Sequence, residues 1–338
     1  MSAIHQALLM IAPSVDNSYF VTTSTGGLPD IKYSSDGATW FASPWSDAAG
    51  SRQARQEGKN PGGYVCFCVN PGLGSLGIAS SPTGVIWTRA TSNTPASWVG
   101  LSISATCVPI WNGSLWACGF ASSTNLAYIA TSPDFVNWTV QLTYTQLPLG
   151  VAPSSIVAIC WTGAQFVALR GPPDYAQPQT NDILTSPTGV TWSNSTGANP
   201  ITSSGANVGY GTIFYFNGYY HVAAISGSRT YSRSADLLTW GAGTGLSPIS
   251  YWVFGAIGTR LVIGSYVSRT MYYSDDIGVS WTAATVPIAS PSSSITGLLT
   301  KRGVIVAIHG GGQTYTSTDG ATWTIAAALT GDFFKGLV

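Results

Sequence analysis

The chain has 338 residues, with thirteen Lys or Arg balanced by thirteen Asp or Glu, so only 8% of its positions carry charge. A soluble domain ordinarily carries about a quarter, and this balance excludes a basic nucleic-acid-binding surface. Hydrophobic residues at 45%, with thirteen Trp, exclude a disordered chain.

From the N-terminus, the apolar run Ala7-Leu-Leu-Met-Ile11 is short and has no Lys or Arg before it. It reads as a strand rather than a targeting segment, and no later run reaches the length of a membrane span. The segment 34–40, SSDGATW, opens a series. SSPTGVIW (80–87), TSPDFVNW (131–138), TSPTGVTW (185–192), RSADLLTW (233–240), SDDIGVSW (274–281) and STDGATW (317–323) follow it. Their tryptophans, Trp40, Trp87, Trp138, Trp192, Trp240, Trp281 and Trp323, recur at steps of 41 to 54 residues. Self-similarity at such a period means a repeat array.

Each copy sits between two short β-prone runs and reads as a hairpin. In the fullest copy the roles divide physically. Ser274 and Asp276 offer oxygens to turn amides, Gly278 tolerates positive φ, and Trp281 anchors the hairpin. Asp36 with Trp40, and Asp319 with Trp323, take the same roles in copies one residue shorter. Pro82 and Pro187 stand in for the Asp in two copies, and Phe135 and Leu237 for the Gly in two more. Loss of one such buried Trp would remove about 3–5 kcal/mol.

Ahead of the hairpins, each unit carries a strand pair across a tight turn: CVPIW-NG-SLWACG, TIFYF-NG-YYHVAAI, WVFGA-IG-TRLVIG and GLLT-KRG-VIVAIHG. Asn112-Gly113 and Asn217-Gly218 are strong hairpin signals, and no stretch has helical periodicity. The prediction is an all-β chain, one seven-bladed β-propeller domain over 1–338 with four-stranded antiparallel blades. The blades fall at about 1–45, 46–92, 93–142, 143–197, 198–245, 246–286 and 287–338. The C-terminal Asp332-Phe-Phe-Lys-Gly-Leu-Val338 matches the segment ahead of an inner strand, as in Ser97-Trp98-Val-Gly-Leu-Ser-Ile, but has no strand after it. The 7–11 run supplies that strand, so the termini are expected to meet in blade one.

The pattern S-x-D-x-G-x-[ST]-W resembles the Asp box, or BNR repeat, of sialidase-like β-propellers. The resemblance covers seven repeats in register, and it implies the propeller fold and a structural role for the boxes. It also raises glycoside hydrolysis, because sialidases use an arginine triad, a Tyr–Glu nucleophile pair and an Asp acid/base. Arg170, Arg229 and Arg269 lie at comparable positions in blades four, five and six. Against catalysis, the chain has a single glutamate, Glu57, among Arg52, Arg55 and Lys59. Nothing pairs Asp30, Asp47 or Asp174 as the two carboxylates that such chemistry needs, and the Phe/Tyr-Arg-Ile-Pro signature is missing. His309, in HGGGQ, has no evident Ser or Cys partner and reads as a loop or strand-end residue.

The five cysteines are odd in number, and Cys66 and Cys68 alternate along one strand, too close for an ordinary disulfide. Buried free thiols are expected. With three scattered His they make no metal site, and no cofactor is implied.

Strand parity locates the adaptable surface. In an up-and-down blade the turn between strands A and B shares one face of the disc with the box. The B–C loops and D-to-A crossovers share the other. The longest of these are 43–62 and 170–181, and long loops on a rigid scaffold are where binding residues concentrate. Arg52, Arg55, Arg170, Tyr175, Arg229 and Arg269 are the candidate binding residues there, with Trp45, Trp98 and Tyr251 as further aromatics. The expected function is a non-catalytic interaction platform without membrane insertion. Asp-box propellers occur in tails, fibres and surface decorations of tailed bacteriophages. The resemblance therefore implies a virion protein made in the host cytoplasm, with other virion proteins or host-surface glycans as partners. The alternatives are an extracellular glycan-binding, lectin-like module and a sialidase-like hydrolase. An assembly factor like the photosystem II stability propellers lacks support, because those carry fuller boxes and an export signal.

Overall fold

The computed structural model describes residues 19–23, 31–44, 53–69, 76–90, 103–105, 107–122, 126–144, 155–171, 182–195, 210–224, 231–246, 251–265, 270–287 and 295–329. Every repeat forms its own antiparallel sheet, and the seven sheets make a seven-bladed β-propeller with no helix among the described residues. Blade 4 shows the plan: strand A Ser155–Trp161, B Phe166–Gly171, C Asp182–Ser186 and D Ser193–Asn194, hydrogen-bonded in that order. Blades 2, 6 and 7 repeat it. Their A and B strands are Gln53–Asn60 with Gly63–Val69, Tyr251–Ile257 with Arg260–Ser265, and Ile295–Lys301 with Val304–His309. Among the described residues, blade 1 has Phe20–Thr23, Ile31–Ser34 and Phe41–Ala42. Blade 5 has Tyr210–Phe216, Tyr219–Ala224 and Tyr231–Ser234. In blade 3, strand A is split into Ile103–Ala105 and Ile110–Trp111.

The inner hairpins close as their residues dictate. Asn217 and Gly218 take φ 48° and 83°, and Arg302 and Gly303 take 52° and 73°, the paired positive values that match the twist of the flanking strands. The A strands of blades 4 to 7 pack one against the next, so they are innermost and the short D strands are peripheral.

The crossover predicted over 43–62 is shorter than the sequence suggested. Residues 53–60 form strand A of blade 2, with Arg55 on that strand and Glu57 in register opposite Cys66. QARQEGKN has no apolar alternation, so its pairing with Gly63–Val69 overrides its composition. The segments 7–11 and 332–338 lie outside the described residues. Closure of the ring is nonetheless visible between blades 7 and 1. Arg302 donates to the Ser35 carbonyl at 2.9 Å. Lys301 donates to the Tyr19 carbonyl and to the Tyr64 hydroxyl, and its ammonium lies 5.6 Å from the Phe20 ring centroid.

The blades join at one recurring position, the third residue before each hairpin tryptophan. Gly84 faces Val21 of blade 1, and a Cβ there would stand 2.6 Å from the Val21 side chain. Gly320 faces Val262 of blade 6 at 2.8 Å, and Gly37 abuts Val306 of blade 7. In two blades the space is filled instead. Phe135 is buried with its ring 4.7 Å from Phe67 of blade 2, and Leu237 packs into the cluster of Val167 and Leu169 from blade 4. Both still adopt φ 64°. A left-handed side-chain-bearing residue costs about 1–2 kcal/mol, while a buried Phe contributes about 3–5 kcal/mol. Burial wins.

Gly37→Ala adds a left-handed penalty to overpacking against Val306 and should lower unfolding free energy by about 2–5 kcal/mol. Gly241→Ala, which meets open space, should stay within about 0.5 kcal/mol. Phe135→Gly relieves the backbone but empties the core, for a net loss of about 2–3 kcal/mol in urea unfolding.

Candidate functional site

The box face is built by the hairpins themselves. In blade 1 the Ser34 hydroxyl donates to Asp36 at 2.9 Å and accepts the Gly37 amide at 2.8 Å. Asp36 Oδ1 accepts the Ala38 and Thr39 amides, and the Trp40 indole donates to the Gly37 carbonyl at 3.0 Å. The same arrangement recurs around Asp134, Asp236 and Asp319. Five indoles donate to the carbonyl three residues back, those of Trp40, Trp87, Trp138, Trp192 and Trp323. Trp87, Trp138, Trp281 and Trp323 are buried, and Trp40, Trp192 and Trp240 are half-buried.

The structure corrects the alignment of two copies. Counted back from tryptophan, the place of Asp36 is held by Thr83 and Thr188, not by Pro82 and Pro187. Each Thr hydroxyl accepts one turn amide, from Val85 at 3.3 Å and Val190 at 3.2 Å. The copy at 274–281 is the longer variant: Gly278 reaches Ser274 across four residues, where the other hairpins span three. Aligning everything on that copy shifts the rest by one.

These bonds set the charge state of the box carboxylates. For Asp276, partial burial pushes the carboxyl up, but bonds from the Ser280 hydroxyl and amide, Ser274 and Val279 outweigh it and hold the value at about 2. For Asp319, the Thr322 and Ala321 amides pull the carboxyl down. All are ionised at neutral pH and committed to their turns. Arginines on the same face bind neighbouring hairpins. Arg233 donates to the Ile277 carbonyl at 2.9 Å. Arg260 donates to the Asp319 carbonyl at 2.7 Å and grips Asp275 through two bonds of 2.7 and 2.9 Å.

Arg52, Tyr175, Arg229 and Arg269 lie outside the described residues, as do Trp45 and Trp98. Arg170 is not in a loop: it is buried on strand B of blade 4, in register with Asp182, because the ladder begun at Phe166 runs on through Gly171. Tyr251 starts strand A of blade 6. His309 ends strand B of blade 7 and is buried, its Nδ1 accepting the Gly311 amide at 3.3 Å. The described residues therefore do not bring the six predicted binding residues together. Among the described residues no group of three or more His, Cys, Asp or Glu is placed to hold a metal.

Sequence reasoning missed two features. The residue at the same hairpin register on strand A is Trp111, Trp161 and Tyr215 in blades 3, 4 and 5. All three are half-buried and pack at a tilt against the rings of Trp116, Phe166 and Tyr220. Aligning strand A on its turn would have found them. The second is a buried polar pair between blades 5 and 6. His221 Nδ1 and the Tyr231 hydroxyl are 2.8 Å apart, against Phe254 and Trp281. Elsewhere the first of these repeat positions carries Val21, Val65, Ala117, Val167, Val262 or Val306, and the second Ile31, Ile78, Ile129, Ile183, Met271 or Thr314. Burial pushes the His221 imidazolium down to about 4; the Phe216 carbonyl opposes this and the Arg233 charge adds to it. Burial raises the Tyr231 hydroxyl.

No family model and no curated protein matches the chain. Solved structures do. The WD40 β-propeller domain of Doa1 superposes with TM-score 0.55 at 11% identity, over 94% of this chain and 89% of that one. The computationally designed Ika8 protein gives 0.53 at 10% identity, over 94% and 90%. YCF48 from Cyanidioschyzon merolae gives 0.52 at 12%, over 81% and 85%. At these identities the likeness is one of fold, and the fold is the seven-bladed β-propeller.

The His221 pair sets an acid limit. Its folded value, about 4, lies below the ordinary 6.5, so the unfolded chain takes the proton first as pH falls. The stability is fully present above about pH 6.5 and is lost between there and pH 4, roughly 3 kcal/mol in all. Urea midpoints measured across that window should fall for the wild type. They should be nearly flat for His221→Val with Tyr231→Ile, which installs the Val and Ile found together in blades 1, 2 and 4.

Proposed function

We propose that this chain is a non-catalytic interaction platform, a structural or host-recognition protein of a tailed-bacteriophage virion, and that its seven hairpins are Asp boxes. The observation that carries the non-catalytic reading is the fate of the hairpin carboxylates; Asp30, Asp47 and Asp174 lie outside the described residues. Asp36, Asp134, Asp236, Asp276 and Asp319 each hold their own turn, and Asp275 is held by Arg260. A carboxylate fixed by turn amides and kept ionised is a poor general acid, and glycoside hydrolysis needs one carboxyl with a raised pKa. The hydrogen bonds of the hairpins support the Asp-box reading, since Ser, Asp or Thr, and Trp repeat the same roles around the ring. Docking falls to the long-loop face, because the box face is occupied by intramolecular bonds. The near-neutral composition fits a particle surface that does not attract nucleic acid.

One observation favours a second reading, a glycan-binding module. Trp111, Trp161 and Tyr215 hold one position in three successive blades and remain half-exposed, and aromatic faces pack well against the apolar faces of sugars.

Mass spectrometry of purified particles is the test. The chain should be recovered at stoichiometric copy number, and deletion of 172–181 should abolish assembly or attachment while moving the thermal midpoint by only a few degrees. Absence from particles would overturn the virion reading. Retention on a glycan array that is lost in Trp161→Ala would favour the second. Turnover of a fluorogenic sialoside, abolished by Glu57→Gln or Asp174→Asn, would defeat both.

A further inference from the structure

Blade 3 differs from its neighbours in its broken inner strand. Between the pairs Ala105–Phe120 and Ile110–Ala117, the inner strand passes through 106–109 while its partner uses only Cys118 and Gly119. The surplus turns Cys107 in against the partner strand. Its Sγ lies 4.0 Å from Cys118 Sγ and accepts the Gly119 amide at 3.0 Å, and the Cys118 thiol lies 3.2 Å from the Cys107 carbonyl. Both residues are buried, Cys107 at 4% exposure and Cys118 at 0%. The thiols of Cys66 and Cys160 belong to separate clusters in other parts of the ring.

We propose that Cys107 and Cys118 are a latent disulfide, formed when the folded protein meets an oxidising thiol–disulfide pool such as glutathione disulfide. A bonded pair of sulfurs stands about 2.0 Å apart, so the two must approach by about 2 Å. The inner strand here is held only as pieces of three and two residues, so it opens locally without global unfolding. Cys107 reacts first, being the more accessible sulfur. Burial, with the Cys107 sulfur beside it, pushes the Cys118 thiol well above its ordinary range; this lowers its thiolate fraction and makes the second step the slow one.

The chemistry balances. Cys107 loses its proton to solvent and its sulfur attacks glutathione disulfide, forming a mixed disulfide and expelling one glutathione thiolate. Cys118 then loses its proton and attacks the Cys107 sulfur, expelling the second glutathione. Two S–H bonds are replaced by one S–S bond, and the glutathione disulfide is reduced to two thiols. In a reducing compartment the pair stays open; in an oxidising medium it closes. Closure ties residues eleven apart in sequence and fixes the one irregular inner strand. The inference is independent of the virion reading.

The test uses the intact folded protein in glutathione buffers of graded ratio, followed by acid quenching, alkylation in denaturant and unreduced chymotryptic mapping. Chymotrypsin cuts at Trp111 and Trp116, which separates the two cysteines. The expected product is lighter by two hydrogens, with the 107 and 118 peptides joined, and melts about 4 °C higher than the reduced form. Cys160→Ala should leave both results intact, and Cys118→Ala should abolish both. Should Cys118→Ala fail to fold, the wild-type map alone decides. Full alkylation of both thiols at the most oxidising ratio, or Cys107 joined to another cysteine, overturns the proposal.

Discussion

The ring depends on the residue three before each hairpin tryptophan. Its amide is held by the hairpin serine, as Gly37 is by Ser34, and in five of the seven hairpins its carbonyl receives the indole, as from Trp40. Its left-handed backbone closes the turn, and its side-chain direction points at the preceding blade. The local hairpin and the contact between blades are therefore made by the same atoms. A single four-stranded sheet cannot bury both its faces, so each blade needs its neighbour. Placing the contact on a rigid turn gives every blade the same tilt to the next, and seven equal steps close.

This arrangement also explains the low charge. Ser, Asp and Thr oxygens satisfy turn amides that would otherwise need water or neighbouring side chains. The few cations on the box face act on backbone carbonyls of the following blade rather than on a ligand. Arg233 of blade 5 reaches the hairpin of blade 6, Arg260 of blade 6 that of blade 7, and Arg302 of blade 7 that of blade 1. Charge-assisted bonds of this kind are stronger than neutral ones. They cluster in the arc from blade 5 through blade 7 to blade 1, which contains the closure. Blade 4 meets blade 5 on that side through Gln165 and the Tyr220 hydroxyl at 3.1 Å, a neutral bond.

The fold was legible because its signal is periodic. Seven tryptophans in register with Ser, Gly and Asp define blades, and Asn217-Gly218 defines an inner turn, whatever the rest of the chain does. Residues without periodicity were misread. Strand Gln53–Asn60 is polar throughout and derives its conformation from an apolar partner, so composition placed it in a crossover. Arg170 looked like a loop residue because ALRG resembles the end of a run, yet the ladder continues past it. Thr83 was hidden behind Pro82 because the longest hairpin served as the template. For the candidate site, less could be read. Binding residues on loops obey no repeat rule, and the half-exposed Trp111, Trp161 and Tyr215 emerge only when strands are aligned on their turns.

Deviations from the repeat carry the individuality of the chain. Most repeat positions tolerate exchange among Val, Ile and Ala, because the only demand on them is to fill volume. His221 and Tyr231 break that rule together: either alone would leave a buried polar atom without its bond, at about 1–3 kcal/mol. Their partner blade has changed too, since the hairpin at 274–281 has its extra residue where the Tyr231 hydroxyl approaches Gly278. Three changes at one interface thus form a unit. The broken strand of blade 3 is another such unit, since the extra residues at 106–109 are what bring Cys107 to Cys118. Both lie in the core rather than on the loops, so chemistry specific to this propeller is built into its blades as well as its surface.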